Sequence, residues 1–488
     1  MARIFNGQHY QSLSRSSARC RVLCVFITAV VLLSTWLILW SETLLSGVWR
    51  PFSTHNPHPS TPHPDPPLFP EYHQKELLLP QHKWNQTHPG PDDKFFFVAG
   101  HARCWAGQGW GNSLQEILLN AYLASRLNRT YVFDNYTWAA QPTPYTDYKG
   151  KKIPSQIPYS VSLRGPIVGE PFPPGNHPPP AVSKTYYEHI CPTPVDIRHD
   201  EVLSSPETPH TVETVVEAWS NKLQAIDAPC VQSARHVGPI FTHPNTFGAR
   251  GSMESIWNDF STSPIMTHFG WSPLIELGFD TNRELFLPAH SLATEPFLST
   301  VPFTTNADRY SMIPGLMVIH VRRGDYDTHC RYLAEQYEDF VSVNTFPSMM
   351  DRFTIPPFKV RGKTTSANRE YYRKHCYPSV SEISAKVADI LNTPAARGVR
   401  KLFIMTNADR KWIANLKDVL WGVAHWEMIS SSRDVTVSWE QKYVAQCIDA
   451  LVAQRAQVFI GNGFSTLTST LVTMRLANGL PPDSTRLW

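Results

Sequence analysis

The chain has 488 residues, of which 42% are hydrophobic, 12% aromatic and 17% charged, and 44 Lys and Arg stand against 41 Asp and Glu for a formal net charge of +3. That length leaves room for two or three domains with large cores. A charge this close to balance argues against a dedicated nucleic-acid binder.

Residues 1–21 contain Arg3, Arg15, Arg19 and Arg21 and no acidic residue, and Val22–Trp40 is then nineteen residues without a charge. A run of that length and polarity predicts one membrane span, with the basic flank cytosolic and everything after Trp40 on the far side. A cleaved signal peptide has the same polarity, but the apolar run is longer than a usual signal core and lacks a clean cleavage site. The expectation is a single-pass type II protein of the Golgi or endoplasmic reticulum membrane, with Golgi slightly favoured. Three sequons, at Asn85, Asn128 and Asn135, agree with a lumenal placement. Cys104, Cys191, Cys230, Cys330, Cys376 and Cys447 would then face an oxidising compartment, where up to three disulfides can form, in pairings the sequence leaves open.

Residues 41–93 are rich in Pro and His and read as an extended stem. Folding is expected from 94 onward. Phe95-Phe96-Phe97-Val98 reads as a strand, and a glycine-bearing loop from Gly100 to Gly111 follows it. A helix then opens with Ser113-Leu114-Gln115-Glu116, which has the form of a capping box, and Tyr131-Val132-Phe133 is the next strand. The β-loop-α-β order predicts a parallel α/β sheet. Residues 141–210 carry many prolines and read as a surface excursion within an N-terminal domain of 94–310, with a helix predicted from Val212 to Leu223 beyond them. A second α/β domain, 311–488, contains strands at 316–321, 401–405 and 457–460 and helices near 410–420, 440–453 and 467–478.

The segment Leu316-Met317-Val318-Ile319-His320-Val321-Arg322-Arg323-Gly324-Asp325-Tyr326 runs a buried strand into two guanidinium groups and a carboxylate. In open α/β sheets ligands bind beyond the carboxyl ends of the strands, and an arginine fork pairs with phosphate. The loop after Ile460 adds backbone amides and the Ser465 and Thr466 hydroxyls at a helix start, which favours an anion. Plain helix capping is the alternative use of those hydroxyls. The loop before the first helix adds Gly111 and Asn112. Together these strand ends suit a nucleotide diphosphate.

Gly109-Trp110-Gly111-Asn112 with Asn128-Arg129-Thr130, His320-Val321-Arg322-Arg323-Gly324-Asp325-Tyr326, and Phe464-Ser465-Thr466 followed by Arg475 resemble the three ordered motifs of the protein O-fucosyltransferases and their α1,2- and α1,6-fucosyltransferase relatives. The ending Thr485-Arg486-Leu487-Trp488 resembles that of fungal members. The resemblance implies a GT-B-like fold of two facing Rossmann-like domains, GDP-fucose as donor, no metal or other cofactor, and inversion at the fucose carbon. It implies that Arg322 binds the diphosphate and neutralises the leaving group, with Ser465, Thr466 and Phe464 on the opposite side. Gly111 and Asn112 would lie close to the transferred sugar, with Asn112 counted as catalytic beside Arg322. His320 would contact the nucleotide or close the strand end, and Asp325 would bind substrate or orient an arginine. The acceptor would be a hydroxyl of a protein or glycan. Glu116 is the nearest carboxylate for a base, although its capping position favours a structural use.

Two rival readings come from other classes. Asp325-Tyr326-Asp327 has the Asp-x-Asp form of a metal-dependent glycosyltransferase, a role the preceding arginines make redundant. A membrane-tethered carbohydrate- or nucleotide-sugar-binding protein without catalysis is the other.

Overall fold

The structure is a computed structural model describing residues 65–99, 109–139, 143–172, 178–203, 210–234, 239–241, 253–357 and 362–488. All of these lie in one unit, Asp65–Trp488. The expected cytosolic tail, the span 22–40 and Cys104 fall outside the described residues. Among the described residues no helix is long and apolar enough to cross a membrane.

Strand β1 (Phe95–Val98) is buried at every position. Phe95 and Phe97 pack into one core and Phe96 and Val98 into another. A strand apolar on both faces needs cover on both, which a parallel sheet flanked by helices supplies. Helix α1 (Trp110–Arg126), strands β2 (Thr130–Phe133), β3 (Val182–Ser183) and β4 (Val195–Ile197), helix α2 (Val212–Gln224) and strand β5 (Cys230–Ser233) follow. The strands lie in the order β3-β2-β1-β5-β4 with every pairing parallel.

The second sheet starts with β6 (Ile313–Val321). Helices α3 (Tyr326–Gln336), α4 (Ser366–Cys376) and α5 (Val380–Leu391) separate it from β7 (Lys401–Thr406), and α6 (Arg410–Trp421) leads on to β8 (Met428–Ser431). The chain then returns through α7 (Ala445–Gln454), β9 (Ala456–Gly461), α8 (Thr466–Ala477) and β10 (Thr485–Leu487). The order β8-β7-β6-β9-β10, all parallel, winds outward from β6 in one direction and then in the other. Its switch point lies between β6 and β9, where doubly wound sheets form a ligand crevice.

One continuous core takes Phe96 and Val98 from the first sheet and Leu316, Val318 and Phe459 from the second. The far face of the second sheet has its own core of Met317, Ile319, Val321, Leu402 and Ile460. The two halves also meet at the starts of α1 and α8. Gln115 Nε2 donates to the Thr466 carbonyl at 3.0 Å, and the Thr470 hydroxyl donates to the Gly111 carbonyl at 3.2 Å.

Several expectations change. Residues 65–93 are not an extended stem: Pro70–Leu77 is a helix, and Phe69, Glu76 and His82 are buried. Apolar residues spaced among the prolines supply the packing that composition alone hides. The 141–210 excursion is not confined to the surface, since it contributes β3 and β4 and buries Tyr159, Val161, Tyr186 and Tyr187. Strands of two or three residues are too short to leave an alternation in the sequence. Ser113 does not cap: α1 begins at Trp110 with Gly109 as its cap, and Ser113 is buried inside the helix. The helix predicted over 440–453 is a short 3-10 turn at Gln441–Tyr443 followed by α7. Among the described residues two disulfides form, Cys191–Cys230 and Cys330–Cys376, while Cys447 is buried and free. The first ties the excursion to β5, and the second ties α3 to α4.

Candidate functional site

Alternation along β6 decides which arginine reaches the crevice. Leu316 and Val318 pack into the core shared with α7 and α8, and His320 meets Thr468 of α8, so Arg322 falls on that side and Arg323 on the other. Arg323 is consumed by the fold. It is buried, donates to the carbonyls of Arg322 and Pro378, and lies 4.1 Å from the Trp412 ring centre and 4.4 Å from that of Tyr377. Burial pushes its pKa down to about 10, so it stays charged at neutral pH.

Arg322 is half-buried, with its guanidinium 4.8 Å from the Tyr326 ring centre. Among the described residues it makes no ion pair and donates no hydrogen bond, and its Nε is buried without a partner. A desolvated cationic donor left unpaired is costly, so an anion is the natural complement. The Tyr326 hydroxyl donates to the Phe464 carbonyl at 3.0 Å, which links this platform to the loop after β9. Ile319 pairs with Ile460 in the sheet, so the two chains leave it side by side.

That second loop is held rigidly. Asn462 is buried, donates from Nδ2 to the Cys376 carbonyl at 2.6 Å and accepts from the Phe464 amide at 3.0 Å. Ser465 is the N-cap residue of α8, yet its side chain makes no capping bond. Among the described residues the Thr466 and Leu467 amides also find no acceptor. The helix start therefore presents open N–H groups and the positive end of its dipole beside Arg322. Gly111 brings α1 to the same place: a Cβ there would lie 2.4 Å from the Leu467 nitrogen. Asn112, half-buried, follows directly.

The structure thus gathers Arg322, Ser465, Thr466, Gly111 and Asn112, and gives other residues different places. His320 is 2% exposed, with Nδ1 2.8 Å from the Thr468 hydroxyl. Burial, reinforced by the Arg322 charge, pushes its pKa down to about 3, leaving a neutral ring that positions α8 rather than a nucleotide contact. The Phe464 side chain is buried among Phe340, Phe353 and Tyr372. Asp325 is exposed and, instead of orienting an arginine, pairs with Lys149 at 3.3 Å. Asp327 pairs with Arg331 at 2.6 Å. Arg475 and Arg129 are buried donors to backbone carbonyls and so serve the fold. Glu116 is 1% exposed, near Tyr131 and Tyr159 and away from the helix start.

Two further polar residues are tied to the carboxyl end of β7. Asn407, after β7, accepts from the Arg323 amide at 2.8 Å and donates to its carbonyl at 2.9 Å, fixing the arginine turn. Asp449, on α7, accepts from the Ser432 hydroxyl at 2.7 Å, and that same hydroxyl accepts from the Thr406 amide at the end of β7. Desolvation pushes the Asp449 carboxyl up to about 7. A carboxylate among Cys447, Ile448, Ala450 and Leu451 was a signal in the sequence that pattern reading passed over.

Two parallel five-stranded sheets with an anion-suited site at the switch point of the second define a doubly wound α/β protein of two Rossmann-like halves. Among solved structures, the chain is similar to POFUT1 in complex with GDP-fucose, at 13% identity and a TM-score of 0.46 over 79% of this chain and 95% of that one. A second crystal form of that complex gives 13% identity and a TM-score of 0.46 over 82% and 98%. POFUT1 with GDP gives 13% and 0.43 over 82% and 99%. At these values the likeness assigns neither family nor activity. No family model and no curated protein sequence matches the chain.

Proposed function

We propose that the protein is an inverting fucosyltransferase of the secretory pathway, moving fucose from GDP-fucose to a hydroxyl of a protein or glycan. The observation that carries the reading is Arg322, half-buried with its Nε enclosed and with no ion pair or donated hydrogen bond among the described residues, beside the start of α8. A nucleotide diphosphate fits that charge and geometry, and the motif resemblance supplies the choice of GDP-fucose. In the reaction the acceptor oxygen bonds to the anomeric carbon from the face opposite GDP. The bond from that carbon to the β-phosphate oxygen breaks, the electron pair stays on the phosphate, and the acceptor hydroxyl gives up its proton to water. Arg322 and the Ser465–Leu467 donors are aimed where this charge develops, a placement worth most where water is excluded. Asn112, next to both helix starts, orients the sugar. The reading keeps the type II membrane anchor, with the site in the lumen of the Golgi or endoplasmic reticulum.

The test is turnover of a panel of nucleotide sugars by the purified full-length protein. Release of fucose or its transfer from GDP-fucose alone is the expected result, and inertness towards every donor favours the non-catalytic binder. Excess chelator should leave turnover intact, because arginine and amides supply the charge. A strict manganese requirement, restored by titration, would transfer the role to Asp325 and Asp327.

Asp449 suits the guanine, whose N1–H and N2–H donors match a carboxylate. A group with a pKa of about 7 goes from about one-tenth to nine-tenths ionised between pH 6 and 8. Since only the ionised form accepts both bonds, GDP affinity should rise about tenfold over that interval and then level off. Asp449→Asn should flatten the profile, as titration calorimetry can check. An unchanged slope in the variant removes Asp449 from base recognition.

A further inference from the structure

A β-hairpin of the N-terminal half, Tyr145–Tyr148 paired with Lys151–Pro154, carries Lys149 and Gly150 at its tip. The tip reaches the arginine turn of the C-terminal half, where Lys149 Nζ stands 3.3 Å from Asp325. Asp325 lies three residues from Arg322, and its other oxygen is 3.5 Å from Asn407 Nδ2, the side chain that fixes the turn. Lys149 and Asp325 are 57% and 49% exposed, and an ion pair so exposed is weak and readily exchanged. Lys149 also adopts a left-handed conformation, φ 54°, that glycine or asparagine would take more easily. The unusual choice of lysine puts a mobile ammonium at the edge of a site already holding one unpaired guanidinium.

We propose that Lys149 is a second phosphate-positioning cation, which leaves Asp325 for the diphosphate when the nucleotide sugar enters and so brings the hairpin down over it. The inference rests on the nucleotide-diphosphate reading of the Arg322 site and adds to it a contact from the opposite half of the molecule. Asp325 then acts as a placeholder that holds the lysine near the crevice until phosphate competes for it. The exchange makes and breaks only ionic contacts, so no co-reactant is needed.

Titration calorimetry on full-length protein, with GDP and guanosine as probes, tests this. Lys149→Ala should weaken GDP about tenfold, the loss expected for one charged hydrogen bond, and leave guanosine unchanged. Lys149→Arg should restore most of the GDP affinity. Asp325→Asn, which frees the lysine, should hold GDP as tightly as wild type or more tightly. Unchanged GDP affinity in Lys149→Ala overturns the proposal while the Arg322 site stands. Equal weakening of GDP and guanosine also overturns it, because the hairpin would then serve shape rather than charge. Wild-type protein that binds no GDP overturns the donor assignment itself, and this inference with it.

Discussion

Arg322→Lys should lower fucose transfer by about 100-fold to 1000-fold, the usual loss when one donor aimed at developing charge is removed, while leaving the thermal midpoint unchanged. Lysine keeps the charge but loses the planar fork that grips two phosphate oxygens together. Stability should hold because Arg322 makes no ion pair or donated hydrogen bond among the described residues, so the fold gives up only its packing over Tyr326. The neighbouring residue makes the control. Arg323 lies between Trp412 and Tyr377 and donates to two carbonyls. Arg323→Lys should therefore cost about 1–3 kcal/mol of stability, as loss of a buried stacked network does, and lower turnover only as far as the folded fraction falls. Alternation places Arg323 on the opposite face, where the buried stack makes lysine a poor replacement. Turnover, donor affinity and thermal midpoint measured together on both variants decide the matter. Near-normal transfer by folded Arg322→Lys would remove the residue that carries the proposed function.

What the sequence disclosed divides by length scale. β1, β6, β7 and β9 were legible because each is a short continuous apolar run, the pattern of a strand buried on both faces. The strand-end motifs followed, since guanidinium groups directly after a buried strand suit an anion, although only Arg322 is free to take one and Arg323 serves the fold. The hidden parts depend on contacts between distant segments. His320 and Phe464 belong to motifs that suggest ligand contact, yet each is covered by an element far along the chain, α8 for one and the Phe340–Phe353 region for the other. The pairing of Lys149 with Asp325 spans the two halves and leaves no local pattern. The capping box at Ser113 failed for a local reason: the true helix start, Gly109, lies four residues earlier, and a glycine cap is easily missed beside a better-looking serine.

Gly111→Ala should be the most damaging single methyl that can be added near the site. The new Cβ would lie 2.4 Å from the Leu467 nitrogen, 2.6 Å from its Cα and 2.7 Å from the Thr466 carbonyl carbon. All three are backbone atoms, so no side-chain rotation relieves the clash, and α1 or α8 must move by about 1 Å to restore ordinary contact. Overpacking of this kind costs about 1–3 kcal/mol. The same movement acts on chemistry, because α8 carries the phosphate donors and α1 carries Asn112. A displacement of about 1 Å at a reacting centre commonly costs about 100-fold in rate, so turnover should fall well beyond the loss of folded protein. Gly109→Ala, two residues earlier, is the matching control: its added Cβ meets nothing within 4 Å, and its φ of −62° suits any residue. That variant should keep nearly wild-type stability and turnover, whereas Gly111→Ala loses both. Wild-type behaviour in Gly111→Ala would mean that the two helix starts are not in contact, and that the halves meet elsewhere.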